Sequence, residues 1–83
     1  HLYHRKMLVR DINWLGEVSF PLKCQAKIRY HGEKAECVVE PAGKDKVVVE
    51  FSEPQRAITP GQAGVFYQKE RLLGGGWIEK AFD

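Results

Sequence analysis

RLLGGGWIE, Arg71–Glu79, is the stretch that decides the fold of this chain. Glycine weakens a strand, so a run of three, Gly74, Gly75 and Gly76, needs a bulge, a sharp bend or the close approach of another backbone. A phosphate-cradling loop is the rival explanation. A Walker loop, however, ends in Gly-Lys-Ser/Thr and opens a helix, and a dinucleotide fingerprint spaces its glycines as G-x-G-x-x-G ahead of one. Here Trp77-Ile78-Glu79 follow the triplet directly and neither spacing is met. The segment reads as a strand that bends or passes close to a neighbour where a small sheet shuts on itself.

The rest of the chain supports that reading. GVFYQ precedes the triplet strand across a turn at Gln68–Arg71, giving a hairpin. LKCQAKIRY, Leu22–Tyr30, alternates cleanly: Leu22, Cys24, Ala26, Ile28 and Tyr30 face one way, Lys23, Gln25, Lys27 and Arg29 the other. AECVVE follows, with Ala35, Cys37 and Val39 on the inner face. A turn at His31-Gly32-Glu33-Lys34 pairs Tyr30 with Ala35, Arg29 with Glu36 and Ile28 with Cys37. Cys24 then stands about 13 Å along the ladder from the partner of Cys37, beyond the roughly 7 Å that a disulfide spans.

After the turn AGKD, KVVVEF points Val47, Val49 and Phe51 inward. MLVRDINW near the start reads as a strand with Leu8, Arg10, Ile12 and Trp14 in one set, and Val9, Asp11 and Asn13 in the other. SEPQRAITPGQ is expected as a crossover loop, because Pro54 and Pro60 cannot donate to a ladder, with Pro60-Gly61 at the centre of a type II turn. Six short strands without substantial helix predict an all-β fold, a small six-stranded antiparallel barrel of Greek-key type. Residues 1–6 are expected as a flexible N-terminal end and 7–83 as a single barrel domain.

At 83 residues the chain holds one domain at most, and 43% hydrophobic with 29% charged residues is ordinary for a folded one. Net charge is +2 and the pI about 8.6, which permits a nucleic-acid partner without demanding one. No apolar run is long enough for a membrane span, and the start HLYHRKMLVR lacks a signal-peptide core. Met7 is the first methionine, so a fragment of a larger protein or a processed terminus is inferred. Two cysteines without C-x-x-C spacing predict free thiols and a reducing, cytoplasmic setting.

Catalytic chemistry is hard to find. Ser19 and Ser52 lack a nucleophile-elbow context, and the carboxylates are scattered among lysines and arginines. His31 sits in a turn, and His1 with His4 is a weak metal signal at a chain end. What stands out is a surface. Lys23, Lys27 and Arg29 share one strand face, Arg5, Lys6 and Arg10 crowd the first strand, and Arg56, Lys69 and Arg71 occupy the crossover and the last turn. Such groups contact phosphates, with Tyr67 or Trp77 available for base stacking. Alternating Lys and Glu also decorate ordinary sheet exteriors, so the surface by itself does not choose.

DINWL, KIRY, VEFSEPQRAITPGQAGVFYQ and LLGGGWIE together resemble the C-terminal domain of bacterial tRNA-specific 2-thiouridylases. The pattern runs through Val49, Phe51, Pro54, Ala57, Thr59, Pro60, Gly61, Gln62, Val65, Phe66, Tyr67, Leu73, Gly74, Gly75, Gly76 and Ile78. Gly64, Trp77 and the charged turn Gln68-Lys69-Glu70 depart from it.

The resemblance implies a six-stranded barrel at the end of a larger enzyme. That enzyme would use ATP and Mg to activate C2 of a wobble uridine and deliver sulfur from a cysteine persulfide. The pyrophosphatase loop and cysteines of that chemistry have no counterpart in this sequence, so no catalytic, cofactor or metal residue is assigned here. Thr59, Pro60, Gly61, Gln62, Phe66, Tyr67 and the three glycines are expected to be structural. Lys23, Lys27, Arg29 and Arg71 are the candidate tRNA contacts. The implied partners are tRNA, the parent's own catalytic domains and a sulfur-relay protein. The competing expectation is a structural or protein-interaction barrel without direct RNA contact.

Overall fold

The structure is a computed structural model describing residues 2–29 and 32–83. Six strands run β1 (Tyr3–Trp14), β2 (Leu22–Lys27), β3 (Ala35–Pro41), β4 (Val47–Arg56), β5 (Ala63–Gln68) and β6 (Arg71–Phe82). They close into a barrel in the order β1-β4-β3-β2-β5-β6, every pair antiparallel. The meander β2-β3-β4 with β1 beside β4 is the Greek key expected from the sequence. Among the described residues no helix is long and apolar enough to cross a membrane.

Alternation fills the interior. Met7, Val9, Cys24, Val39, Val49, Phe51, Phe66 and Ile78 are almost wholly excluded from solvent, and burial of such side chains is the main term favouring a chain this small. Trp14 closes over this core, its ring 5.5 Å from Phe66 and 6.1 Å from Phe20.

β1 departs from simple alternation. Met7 and Val9 point inward, whereas Ile12 and Trp14 also pack on the core, so the strand changes phase between them. The cause is a bulge: Asp11 adopts φ 52°, the β1–β6 register shifts between Arg10 and Asn13, and the Ile12 amide donates to the Asp45 carbonyl at 2.9 Å. The expected set of Leu8, Arg10, Ile12 and Trp14 is therefore split, with Leu8 on the outer side. β1 also begins earlier than the boundary at residue 7: Tyr3, His4 and Lys6 pair with Arg56, Gln55 and Glu50.

SEPQR is likewise strand rather than loop. β4 continues to Arg56, and Pro54 is accommodated where the β1–β4 register shifts between His4 and Lys6. The Pro60-Gly61 turn is as expected: Gly61 has φ 91° and the Gln62 amide donates to the Thr59 carbonyl at 3.3 Å. Gly61 donates to the Ile78 carbonyl, and Ile78 donates back to Gln62, both at 2.8 Å. The motif Thr59–Gln62 is thus a clamp on β6.

The β2–β3 register is corrected. Cys24 lies opposite Cys37, Gln25 opposite Glu36 and Ala26 opposite Ala35, a slip of four residues from the expected pairing. An even slip leaves every side chain on its expected face, so the apolar pattern did not oppose it. The connection is wider than a tight turn, and within it the Gly32 amide donates to the Arg29 carbonyl at 2.9 Å. The expectations for His1, Tyr30 and His31 lie outside the described residues.

The glycine triplet does what closure requires. A Cβ on Gly74 would collide with the Asn13 carbonyl oxygen, and one on Gly76 would sit 2.5 Å from the Arg10 carbonyl oxygen and 2.8 Å from Val9 Cγ1. β6 lies against the bulged part of β1 with no room for side chains between them.

Candidate nucleic-acid interface

Alternation in β2 turns Lys23, Gln25 and Lys27 outward, opposite to buried Leu22, Cys24 and Ala26. β5 lies alongside, with Tyr67 opposite Gln25 and Val65 opposite Lys27. β6 follows, with Arg71 opposite Gln68, Gly75 opposite Val65 and Trp77 opposite Ala63. One outer wall of three strands therefore carries the cations of β2 beside half-buried Tyr67 of β5 and exposed Trp77 of β6.

Polar contacts fix this wall. Gln25 donates through Nε2 to both Glu36 carboxylate oxygens at 3.2 Å and accepts the Lys69 amide at 2.9 Å through Oε1. Gln68 Nε2 donates to the Lys23 carbonyl at 3.0 Å. Lys34 Nζ donates to the Lys69 carbonyl at 2.7 Å and stands 4.3 Å from the Tyr67 ring centroid, a cation–π contact. The β5–β6 turn, where Lys69 has φ 56°, is thereby tied to β2 and to the start of β3.

The four candidate contacts occupy this wall in two places. Lys23 and Arg71 border a cleft of about 440 Å³ shared with Gln68, Glu17 and Ser19. Lys27 and Arg29 border a groove of about 390 Å³ with Gln62, Ala63, Val65 and Tyr67. Among the described residues Lys23, Lys27 and Arg71 have no ion-pair partner, whereas Arg10 is held by Asp11 at 2.7 Å and Lys46 by Glu79 at 3.0 Å. Arg29 is less free: its Nη1 donates to the Arg56 carbonyl at 2.6 Å.

The basic residues of β1 are not part of this wall. β1 lies across the barrel from β2, and Arg5 donates to the Ser52 carbonyl at 2.7 Å. Beyond Arg29 the charge becomes mixed, since the next cavity is lined by Glu33, Glu36 and Glu53 together with Arg29 and Lys34. Sequence reasoning missed Lys34 and Gln25 as organisers of the wall. The signal available for Gln25 was its place between Lys23 and Lys27 on the same outward stripe.

Phe66 is core and Tyr67 is outer wall, so the pair Phe66-Tyr67 serves both sides of the sheet. His4 Nδ1 lies 3.2 Å from Asp83 Oδ1, which joins the two ends of the described chain. Among the described residues no three His, Cys, Asp or Glu side chains converge as metal ligands would. The thiols of Cys24 and Cys37 are buried and free, with their sulfur atoms 3.9 Å apart. The hydrogen bond to Cys24 and burial together push the Cys37 thiol far above its ordinary range, so its neutral form is the one that fits the core.

In class the molecule is a closed, six-stranded, all-antiparallel β-barrel. Residues 4–78 match the family described as the aminomethyltransferase beta-barrel domain, and the chain belongs to that family. It is 49% identical over 83 residues to the tRNA-specific 2-thiouridylase MnmA of Symbiobacterium thermophilum, covering 98% of this chain and 21% of that protein. It is 54% identical over 76 residues to the MnmA of Carboxydothermus hydrogenoformans, covering 89% of this chain and 21% of that protein. With the MnmA of Chlamydia felis the identity is 45% over 78 residues, covering 94% and 22%. The chain thus spans about one fifth of the length of the curated relatives it matches.

Proposed function

We propose that this barrel is the C-terminal, non-catalytic domain of a tRNA 2-thiouridylase and that it helps to hold tRNA. The adenylation with ATP and Mg and the transfer of persulfide sulfur to C2 of the wobble uridine would belong to other domains of that enzyme. The observation that carries this reading is that Lys23, Lys27 and Arg71 stand on one wall with no ion-pair partner among the described residues. Cations without carboxylate partners beside an aromatic surface are suited to phosphates, and their contribution is electrostatic and largely independent of sequence. The relatives named for action on tRNA supply the partner.

The test is a tRNA titration of the full-length enzyme containing this barrel, repeated across salt concentrations. Replacing Lys23 and Lys27 by Glu should weaken binding and flatten the salt dependence, each lost phosphate contact changing the log–log slope by about 0.7 to 0.9. Unchanged affinity and slope, with sulfur transfer or domain association lost instead, would establish the protein-interaction reading.

A further inference from the structure

The groove beside Lys27 does not end at β5. Ala63 and Val65 also line a second depression, of about 280 Å³, together with Gly75, Trp77, Asn13 and Asp11. The two adjoin at Ala63 and Val65 and together follow the outer surface half-way round the barrel as a curved trough, from Lys27 on β2 over Val65 and Gly75 to Asn13 on β1, residues joined in register at each step. Three strand spacings make it about 14 Å long. Gly75 lines it without a side chain, hemmed by the Gly64 carbonyl oxygen and Val65, and Trp77 stands two residues along the same face, 48% exposed.

We propose that this trough seats a single unpaired nucleotide of RNA, with its base stacked on Trp77 above Gly75 and its phosphate toward Lys27; this rests on the tRNA-holding role proposed above. Three features select that occupant. An exposed indole beside a side-chain-free floor offers a flat apolar face of the kind on which a base stacks, whatever its identity. The unpaired cation lies at one end: Lys27 has no ion-pair partner among the described residues and Arg29 stands beyond it, whereas Arg10, opposite Trp77 at the other end, is held by Asp11. At the opposite end Asn13 presents an amide that can both donate to and accept from a base edge, and the neighbouring Asp11 carboxylate is already engaged by Arg10 at 2.7 Å. A duplex would not fit this reading, because its bases are stacked inside and unavailable to Trp77.

The experiment uses the full-length enzyme and two probes, its tRNA and a single-stranded RNA pentamer, with a duplex of the same sequence as control. Trp77→Ala should weaken pentamer binding by roughly 5- to 150-fold, the measured worth of one base–aromatic stack, while leaving the salt slope unchanged. Trp77→Phe should recover most of the loss, and duplex binding should be indifferent to both. Lys27→Ala should lower the slope for the pentamer by about 0.7. Because Trp77 is on the surface, matching thermal unfolding curves will confirm that the variants are folded.

If Lys23 and Lys27 reversal weakens tRNA binding but Trp77→Ala changes neither probe, the tRNA-holding role stands and the nucleotide seat is overturned. If neither set of variants matters, both readings fall. Loss of contact with another domain or protein on Trp77→Ala, with RNA affinity intact, would mean that the trough is a protein-docking surface and would also overturn the proposal.

Discussion

Gly76→Ala isolates the physical reason for the glycine triplet. The added carbon would lie 2.5 Å from the Arg10 carbonyl oxygen, 2.8 Å from Val9 Cγ1 and 3.2 Å from Ile12 Cα. Two of these are backbone atoms and Val9 is fully buried, so no flexible side chain can yield. Overpacking of this kind costs about 1–3 kcal/mol, and forcing β1 away from β6 loosens adjacent ladder hydrogen bonds worth about 1 kcal/mol each. The expected loss is about 3 kcal/mol, against a total of about 4–12 kcal/mol for a domain of 83 residues. Urea unfolding followed by far-UV circular dichroism reads it out: with a slope near 1 kcal/mol per molar, the midpoint should fall by about 3 M. Gly16→Ala, whose Cβ meets nothing within 4 Å, should stay within about 0.5 kcal/mol of the parent chain. Equal midpoints for Gly76→Ala and Gly16→Ala, at unchanged slope, would refute the close approach of β1 and β6 and the account of closure built on it.

Ala57 holds φ 56°, a conformation that costs a residue with a Cβ about 1–2 kcal/mol. Ala57→Gly should therefore stabilise the barrel by up to about 1 kcal/mol after the added chain entropy of glycine, measurable in the same urea titration. Arg29→Ala should lower stability by about 1 kcal/mol because it removes the 2.6 Å bond to the Arg56 carbonyl, whereas Lys23→Ala should leave stability within about 0.5 kcal/mol. The Cys37 pKa is raised in the folded state, so its contribution to stability is full below the unfolded thiol's pKa, about 8.5, and declines above it as the unfolded chain alone ionises. The hydrogen bond between the two thiols lowers the Cys24 thiol, whose contribution has the opposite sign, so the share due to Cys37 should be read as the difference in the pH dependence of unfolding above about pH 8.5 between the Cys37→Ala and Cys24→Ala variants.

Period-two alternation made the strands legible. In β2 and β4 it assigned every buried position correctly, from Leu22, Cys24 and Ala26 to Val47, Val49 and Phe51. It carries parity and no more. A four-residue slip in β2–β3 preserved parity, so the pairing of Cys24 with Cys37 stayed hidden. In β1 the parity itself changes, because Asp11 enters a left-handed conformation and the Asp45 carbonyl fills the gap that the bulge opens. Nothing in MLVRDINW marks that event, since its partner lies in a distant turn. Pro54 is expected in a crossover loop because it cannot donate to a ladder, yet it occupies an irregularity of the β1–β4 ladder where a missing amide costs little.

The candidate site was legible only as a stripe. Lys23 and Lys27 follow from β2 alone, but Arg71 joins them because β6 comes round to β5, which is a property of closure. Arg29 shares the stripe in sequence and is diverted in space by the Arg56 carbonyl.

The triplet shows most directly how one motif divides. Read as a unit, Gly74-Gly75-Gly76 poses a single question about backbone freedom, but period two assigns its members to different sides of the sheet. Gly74 and Gly76 meet the backbone of β1, Gly75 meets the Gly64 carbonyl of β5, and Gly75 shares the outer trough with Trp77. Closure therefore requires all three to be small, and the smallness of the middle one leaves a depression on the outer wall as a by-product. A site built on such a by-product needs no additional constraint on the fold; it needs one aromatic residue placed two positions along the strand, and Trp77 is there.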